Sequence, residues 1–359
     1  LWFPGGHINI CENALDEQIR QGRGEQPAII FQSNYSGTKT SLTYNELLEK
    51  VSKLSDVLAK FGIGYNENSE NLQTVVIYMA NSVEAVIAML ACARRGVPHS
   101  VVFGGFAAQE LAKRIEHAKP SLVIASSCGV EPNKIVAYKP LLDAALTLAK
   151  REDTKTIIFQ RPELKAEMKE NRDYDWCELM KDAKYSPPIP VPSNHPLYVL
   201  YTSGTTGQPK GIVRDSAGYA VALKWSMPNV YGMNPGDVFW AASDVGWVVG
   251  HSYIAYGPLL AGCTSLIFEG KPVGTPNAGA FWEIVQNYKV KALFCAPTAF
   301  RAIKREDPQG KFLSKYDLSE LKALFLAGER ADPNTIEWAE KMLQKPVIDN
   351  YWQTETGWP

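Results

Sequence analysis

A chain of 359 residues with 45% apolar content can bury a large core, and it exceeds the size at which one core normally stops growing, so one large domain with subdomains is expected. A formal charge of −1 removes the electrostatic case for nucleic acid or an anionic membrane surface as partner, which leaves small ligands held by local groups. No apolar run approaches the length of a bilayer span, so no membrane insertion is expected.

The first residues, Leu1-Trp2-Phe3-Pro4-Gly5-Gly6-His7, lack the charged and apolar regions of a signal peptide. The chain starts without methionine and stops at Trp358-Pro359, so it reads as a piece of a longer protein, with room upstream for an organelle-targeting segment. Cys11, Cys92, Cys128, Cys177, Cys263 and Cys295 are scattered singly, which offers neither a zinc site nor a disulfide framework and suits a reducing compartment.

In chain order, residues 1–22 read as an N-terminal extension, with a short helix over 10–19, and 23–359 as the large domain. A β-type run follows at 28–31. Thr43 and Glu46 form a capping-box pattern ahead of Leu47, Val51, Leu54, Leu58 and Phe61, which share one helical face that ends at Gly62. The run 74–79 is continuously apolar, as in a strand buried on both faces, and Ser82 can cap a helix carrying Val83, Val86, Ile87, Leu90 and Ala91 inward. Strands at 100–103, 122–125 and 156–159 alternate with helices at 109–118 and 141–150. That alternation implies right-handed parallel crossovers and a doubly wound sheet. From Arg161 to Pro196 charges and prolines dominate, which reads as a surface connection with a short helix over 176–183; the second half then repeats the α/β rhythm.

The most informative stretch is Tyr201-Thr-Ser-Gly-Thr-Thr-Gly-Gln-Pro-Lys-Gly-Ile212. It follows an apolar run and precedes a segment with helical spacing, so it reads as a strand-to-helix loop. Gly204, Gly207 and Gly211 allow a close backbone approach to an anion, Thr202, Ser203, Thr205 and Thr206 add hydroxyl donors, and Lys210 adds a full charge. It is not a Walker loop, because Gln208-Pro209 separate Lys210 from the preceding glycine.

The twelve-residue string resembles the signature of the adenylate-forming enzymes, and within them the short-chain acyl-CoA synthetases, the propionate-preferring members in particular. The resemblance extends along the chain through Trp2–Gly6, Val102–Phe106, Trp247–Tyr253, Glu269–Pro276, Ala327–Arg330 and Tyr351–Gly357. It implies an α/β fold: an acetyl-CoA synthetase-like large AMP-binding domain with doubly wound, mainly parallel sheets, cut short before the ribose-binding aspartate, the hinge and the C-terminal lid domain. It also implies ATP, Mg²⁺ and coenzyme A, with a small carboxylate attacking the α-phosphate and the coenzyme A thiol then attacking the acyl adenylate.

On that resemblance, the residues from Thr202 through Ser203, Gly204, Thr205, Thr206 and Gly207 to Lys210 hold the β- and γ-phosphates. Thr354 touches the α-phosphate, and Glu355 is the Mg²⁺-linked carboxylate. Lys210, Thr354 and Glu355 are the catalytic candidates. Gly328, Glu329, Arg330, Asp349, Asn350, Tyr351, Trp352 and Gln353 frame the nucleotide; Arg330 stands where acetate-activating relatives usually have proline. Val248, Val249, Ala327 and Trp352 line the acyl pocket, Trp352 as its floor. Gly104 and Gly105 admit the pantetheine arm, and Lys134 meets a phosphate of coenzyme A. His251 opens a helix and reads as structural. Acetate or butyrate activation, a non-catalytic acyl-adenylate-binding form, and a phosphotransferase are the competing readings; the first would still yield AMP and pyrophosphate, the last ADP. The expected setting is intracellular, the mitochondrial matrix in a eukaryote or the cytoplasm in a bacterium.

Overall fold

The computed structural model describes residues 3–69, 71–202 and 209–359. Two seven-stranded sheets carry the fold. The first runs, in spatial order, Asp173–Asp175, Thr156–Phe159, Leu122–Ser126, Val75–Tyr78, His99–Val101, Pro196–Thr202, Lys210–Asp215. The second runs Val347–Asp349, Ala323–Leu326, Val290–Cys295, Val238–Ala241, Thr264–Glu269, Pro27–Ser33, Lys39–Thr43. Each sheet is parallel except for one antiparallel edge pair, Pro196–Thr202 with Lys210–Asp215 in the first and Pro27–Ser33 with Lys39–Thr43 in the second.

Side-chain alternation along the strands divides the apolar residues among three clusters. Val75 and Ile77 face a central cluster while Val76 and Tyr78 face an outer one; Ile267 and Phe294 face the same central cluster from the second sheet, and Leu266 and Leu293 face away. The helices Tyr44–Lys60 and Val83–Arg94 therefore lie between the sheets. The helices Ala108–Ala118 and Tyr138–Leu148 cover one outer face, and Ala280–Tyr288, Pro297–Glu306 and Pro333–Leu343 cover the other. The result is an α-β-α-β-α stack.

Local signals explain the central layer. The Thr43 hydroxyl accepts from the Glu46 amide (3.2 Å) and the Glu46 carboxylate accepts from the Thr43 amide (2.8 Å), the capping box expected there. The helix ends at Gly62, whose φ of 74° is open to glycine. Ser82 caps the second helix through the Ala85 amide. The N-terminal segment joins this layer: Ile10, Cys11, Ala14 and Leu15 are buried, and the Asn9 amide donates to the carbonyls of Ala93 and Arg94. No described helix is long and apolar enough to cross a membrane.

Two expectations are corrected. The segment after the signature loop is a strand, not a helix: Lys210–Asp215 returns antiparallel to Pro196–Thr202 with Thr202 facing Lys210, and the helix Ala217–Asn229 begins only afterwards. The return strand pairs the otherwise open backbone edge of Pro196–Thr202, a tertiary gain that outweighs helical spacing. Residues 161–196 are also more than a surface connection. Asp173–Asp175 adds an edge strand, Val191 pairs with Ile8, and Arg161 is buried between the sheets. The short helix in this stretch spans Trp176–Lys181.

Candidate active site

Parallel strands send their carboxyl ends to one side of a sheet, and ligands bind beyond those ends. Here the loops after both sheets converge. Ala80, Asn81, Phe103, Gly104 and Gly105 from the first and Ala242–Asp244 and Phe268–Pro272 from the second line a common cavity of about 370 Å³. Asn81 bridges them, its amide donating to the Ser243 carbonyl (3.1 Å) and its carbonyl accepting from the Val245 amide (3.3 Å).

A second cleft of about 410 Å³ has two lips, Gly328–Arg330 and Asp349–Gln353. They meet because their parent strands are parallel neighbours, Leu326 facing Asp349, and because the Asn350 amide donates to the Leu326 carbonyl (2.7 Å). Gly328 has φ of 102°, and a Cβ there would meet nothing within 4 Å, so its backbone is both glycine-specific and open to a flat ligand. Tyr351 is 82% exposed and offers a free ring face. The Glu329 carboxylate is held by Arg301 at 2.6 Å. Asp349 accepts from the Ala331 amide, which fixes the lip carrying Arg330.

Of the phosphate-loop candidates, Thr202 and Lys210 are the paired ends of the hairpin, and Lys210 is exposed; Ser203, Gly204, Thr205, Thr206 and Gly207 lie outside the described residues. Arg214, farther along the return strand, donates from one nitrogen to the carbonyls of Thr354 (2.8 Å) and Glu355 (2.9 Å). The hairpin is thereby tied to the Gln353–Gly357 turn, which Thr356 closes through its hydroxyl and the Gln353 amide (3.0 Å). Arg214 was missed in the sequence because nothing around it marks a contact 140 residues away.

Glu355 keeps its carboxylate exposed, since Arg214 engages only its carbonyl. Among the described residues no three His, Cys, Asp or Glu side chains gather to hold a metal. A single free carboxylate suits Mg²⁺, which takes one or two protein carboxylates and completes its shell with phosphate oxygens and water.

Trp352 is 8% exposed and packs edge-on against Tyr253 (centroids 5.6 Å) and tilted on Phe294 (6.0 Å). Val248, Val249 and Ala327 belong to the same apolar cluster, so all four acyl-pocket candidates share one core. Tyr253, given no role in the sequence reading beyond ending a motif stretch, supports Trp352 and is fixed by Ser226 at 2.9 Å from its hydroxyl. His251 is fully buried, with Nδ1 3.1 Å from the Trp247 carbonyl, and burial pushes its pKa down to about 4, which fits a neutral structural imidazole.

Gly104 and Gly105 line the inter-sheet cavity, yet a Cβ on Gly104 would approach the Tyr138 hydroxyl to 2.4 Å. The glycine there is required by the protein's own ring. Lys134 lies in an adjoining groove of about 740 Å³ and pairs with Glu131 at 3.4 Å, both side chains exposed. Asp244 lines the cavity too; burial, with a smaller push from Glu269, raises its pKa to about 6 against the accepted Gly246 N–H. The folded state therefore binds the extra proton, and stability falls as pH rises from about 4 to 6. Asp244→Asn, which keeps an acceptor for Gly246, is expected to raise stability by about 1–2 kcal/mol at pH 7 and to change nothing at pH 4, measured by urea unfolding at both values.

Loops gathered beyond parallel strands, with a return strand tied through Arg214 to the turn beside an open cleft, are the arrangement of a nucleotide-binding α/β protein. Residues 15–359 match the family described as AMP-binding enzyme, and the chain belongs to it. It is 51% identical over 359 residues to the human mitochondrial acyl-CoA synthetase short-chain family member 3, covering all of this chain and 52% of that protein. It is 48% identical over 367 residues to short-chain family member B of Dictyostelium discoideum, again over all of this chain and 52% of the relative. With a propionate–CoA ligase of Salmonella typhimurium it shares 43% over 361 residues, all of this chain and 56% of the ligase. The chain spans about half the length of the curated relatives it matches.

Proposed function

We propose that the protein carrying this chain activates a short-chain carboxylate, propionate foremost, with ATP to an acyl adenylate and pyrophosphate, and then transfers the acyl group to coenzyme A with release of AMP. The observation that carries this reading is the placement of the signature hairpin. Its return strand is bonded to the Thr354–Glu355 turn, and that turn continues directly from the Tyr351–Gln353 lip of the cleft. A nucleotide with its base between Gly328 and Tyr351 would present its phosphates to that junction. The relatives named as propionate–CoA ligase and short-chain acyl-CoA synthetases support the same chemistry.

In this reading Lys210 and the hairpin hydroxyls and amides neutralise the β- and γ-phosphates as charge moves onto leaving pyrophosphate. Thr354 orients the α-phosphate. Mg²⁺ beside Glu355 would supply further charge neutralisation at the phosphates. The carboxylate substrate rests its alkyl end against Val248, Val249, Ala327 and Trp352, which exclude water. Coenzyme A enters through the inter-sheet cavity past Gly104 and Gly105, with Lys134 at its phosphate end. Both mitochondrial and bacterial relatives exist, which supports the matrix or the bacterial cytoplasm as setting.

Ala327 tests the choice of acid. Its small side chain leaves room for the terminal methyl of propionate above Trp352, and valine adds two methyl groups there. One methylene in an apolar pocket discriminates by about 1–3 kcal/mol, so the propionate-to-acetate ratio of kcat/KM is expected to fall about 10-fold or more in Ala327→Val. The assay is steady-state pyrophosphate release from each acid with the full-length protein. Equal loss with both acids would make Ala327 ordinary packing and remove the support for propionate.

A further inference from the structure

Arg214 sits in a built site that the substrate contacts alone do not explain. One guanidinium nitrogen donates to two successive carbonyls, Thr354 and Glu355, and so fixes two successive peptide planes of the turn. The group lies 5.8 Å from the ring of Tyr219 and 5.9 Å from that of Trp358, a distance at which both rings attract a cation. Gly357 makes the space: its φ is 86°, and a Cβ on it would come within 2.9 Å of the Arg214 guanidinium carbon. Ser252 locks the same corner, donating to the Gly357 carbonyl (2.6 Å) and meeting the Tyr219 hydroxyl (2.7 Å). Two separate chain segments thus converge on one arginine, braced by Ser252 behind them, and that arginine stands four residues after Lys210 on the same strand.

We propose that Arg214 is the positioning residue that keeps the polyphosphate hairpin in register with the Thr354–Glu355 turn during adenylation. The inference rests on the reading of hairpin and turn given above. The β- and γ-phosphates are attached only in the first half-reaction. Once pyrophosphate has left, the hairpin has no ligand to align, and only the Thr354 contact with the α-phosphate, carried on the turn itself, still draws on this corner. Loss of Arg214 therefore separates the two half-reactions. Lysine at this position keeps the charge but not the planar cation lying by the Tyr219 and Trp358 rings, and restores the register only in part.

The test uses the full-length protein with Arg214→Met and Arg214→Lys. Propionate-dependent exchange of labelled pyrophosphate into ATP is expected to drop about 30- to 100-fold in Arg214→Met and about 10-fold in Arg214→Lys, as expected for losing charge-assisted bonds. Thioester formation from supplied propionyl adenylate and coenzyme A stays within about 3-fold of the unaltered protein. Arg214→Lys is read by the same two assays if the methionine variant does not fold. Equal losses in both half-reactions, or none in either, would overturn the positioning role. Absence of exchange in the unaltered protein would instead overturn the adenylation reading on which the role depends.

Discussion

Arg161→Ala is expected to destabilise the folded protein by about 3–5 kcal/mol, the cost of leaving one member of a buried ion pair alone. Arg161 follows the strand Thr156–Phe159 of the first sheet and grips Glu269, at the end of Thr264–Glu269 in the second, through two bonds of 2.7 and 3.1 Å. Both side chains are only 7% exposed. The Ser33 hydroxyl also donates to Glu269 (2.6 Å), but a hydroxyl cannot neutralise a buried carboxylate. The double change Arg161→Met with Glu269→Gln removes both charges and is expected to recover most of the loss. Urea unfolding of the single and double variants measures this. A single variant within about 1 kcal/mol of the parent would mean that water reaches the pair and that it does not clamp the sheets.

Much of the architecture was legible because local and global signals agree. The Thr43–Glu46 capping box and the Gly62 stop each satisfy backbone groups locally, the 74–79 run is apolar apart from Thr74, and the structure realises each, with the strand spanning Val75–Tyr78. The motif residues Gly328, Asp349–Gln353 and Gly104–Gly105 were named from the family resemblance, and the structure puts them at or beyond the carboxyl ends of strands, where they line clefts. The return strand Lys210–Asp215 was misread because the helical spacing that belongs to Ala217–Asn229 was carried back to the loop, whereas the strand's conformation is set by the partner edge. Arg161 looked like one charge in a polar stretch, since its partner lies 108 residues away. Arg214 and Tyr253 escaped for the same reason: their roles exist only in contacts between distant segments.

Lys210→Ala is expected to reduce adenylation about 100-fold or more while leaving the unfolding midpoint nearly unchanged. Lys210 is exposed at the base of the hairpin and contributes charge, not packing, so its removal leaves no cavity. In the proposed adenylation step the same charge would face departing pyrophosphate, where a single preorganised donor is worth about 10²–10³ in rate. A large fall in thermal midpoint with activity per folded molecule retained would reverse that assignment.

The most direct measurement of the adenylation claim is the carboxylate-dependent exchange of labelled pyrophosphate into ATP by the full-length protein, compared with its Lys210→Ala variant. The account predicts exchange that requires propionate and Mg²⁺, falls by about two orders of magnitude in the variant, and gives AMP rather than ADP once coenzyme A is added. Propionate-dependent release of ADP, or exchange equal in the two proteins, would contradict it.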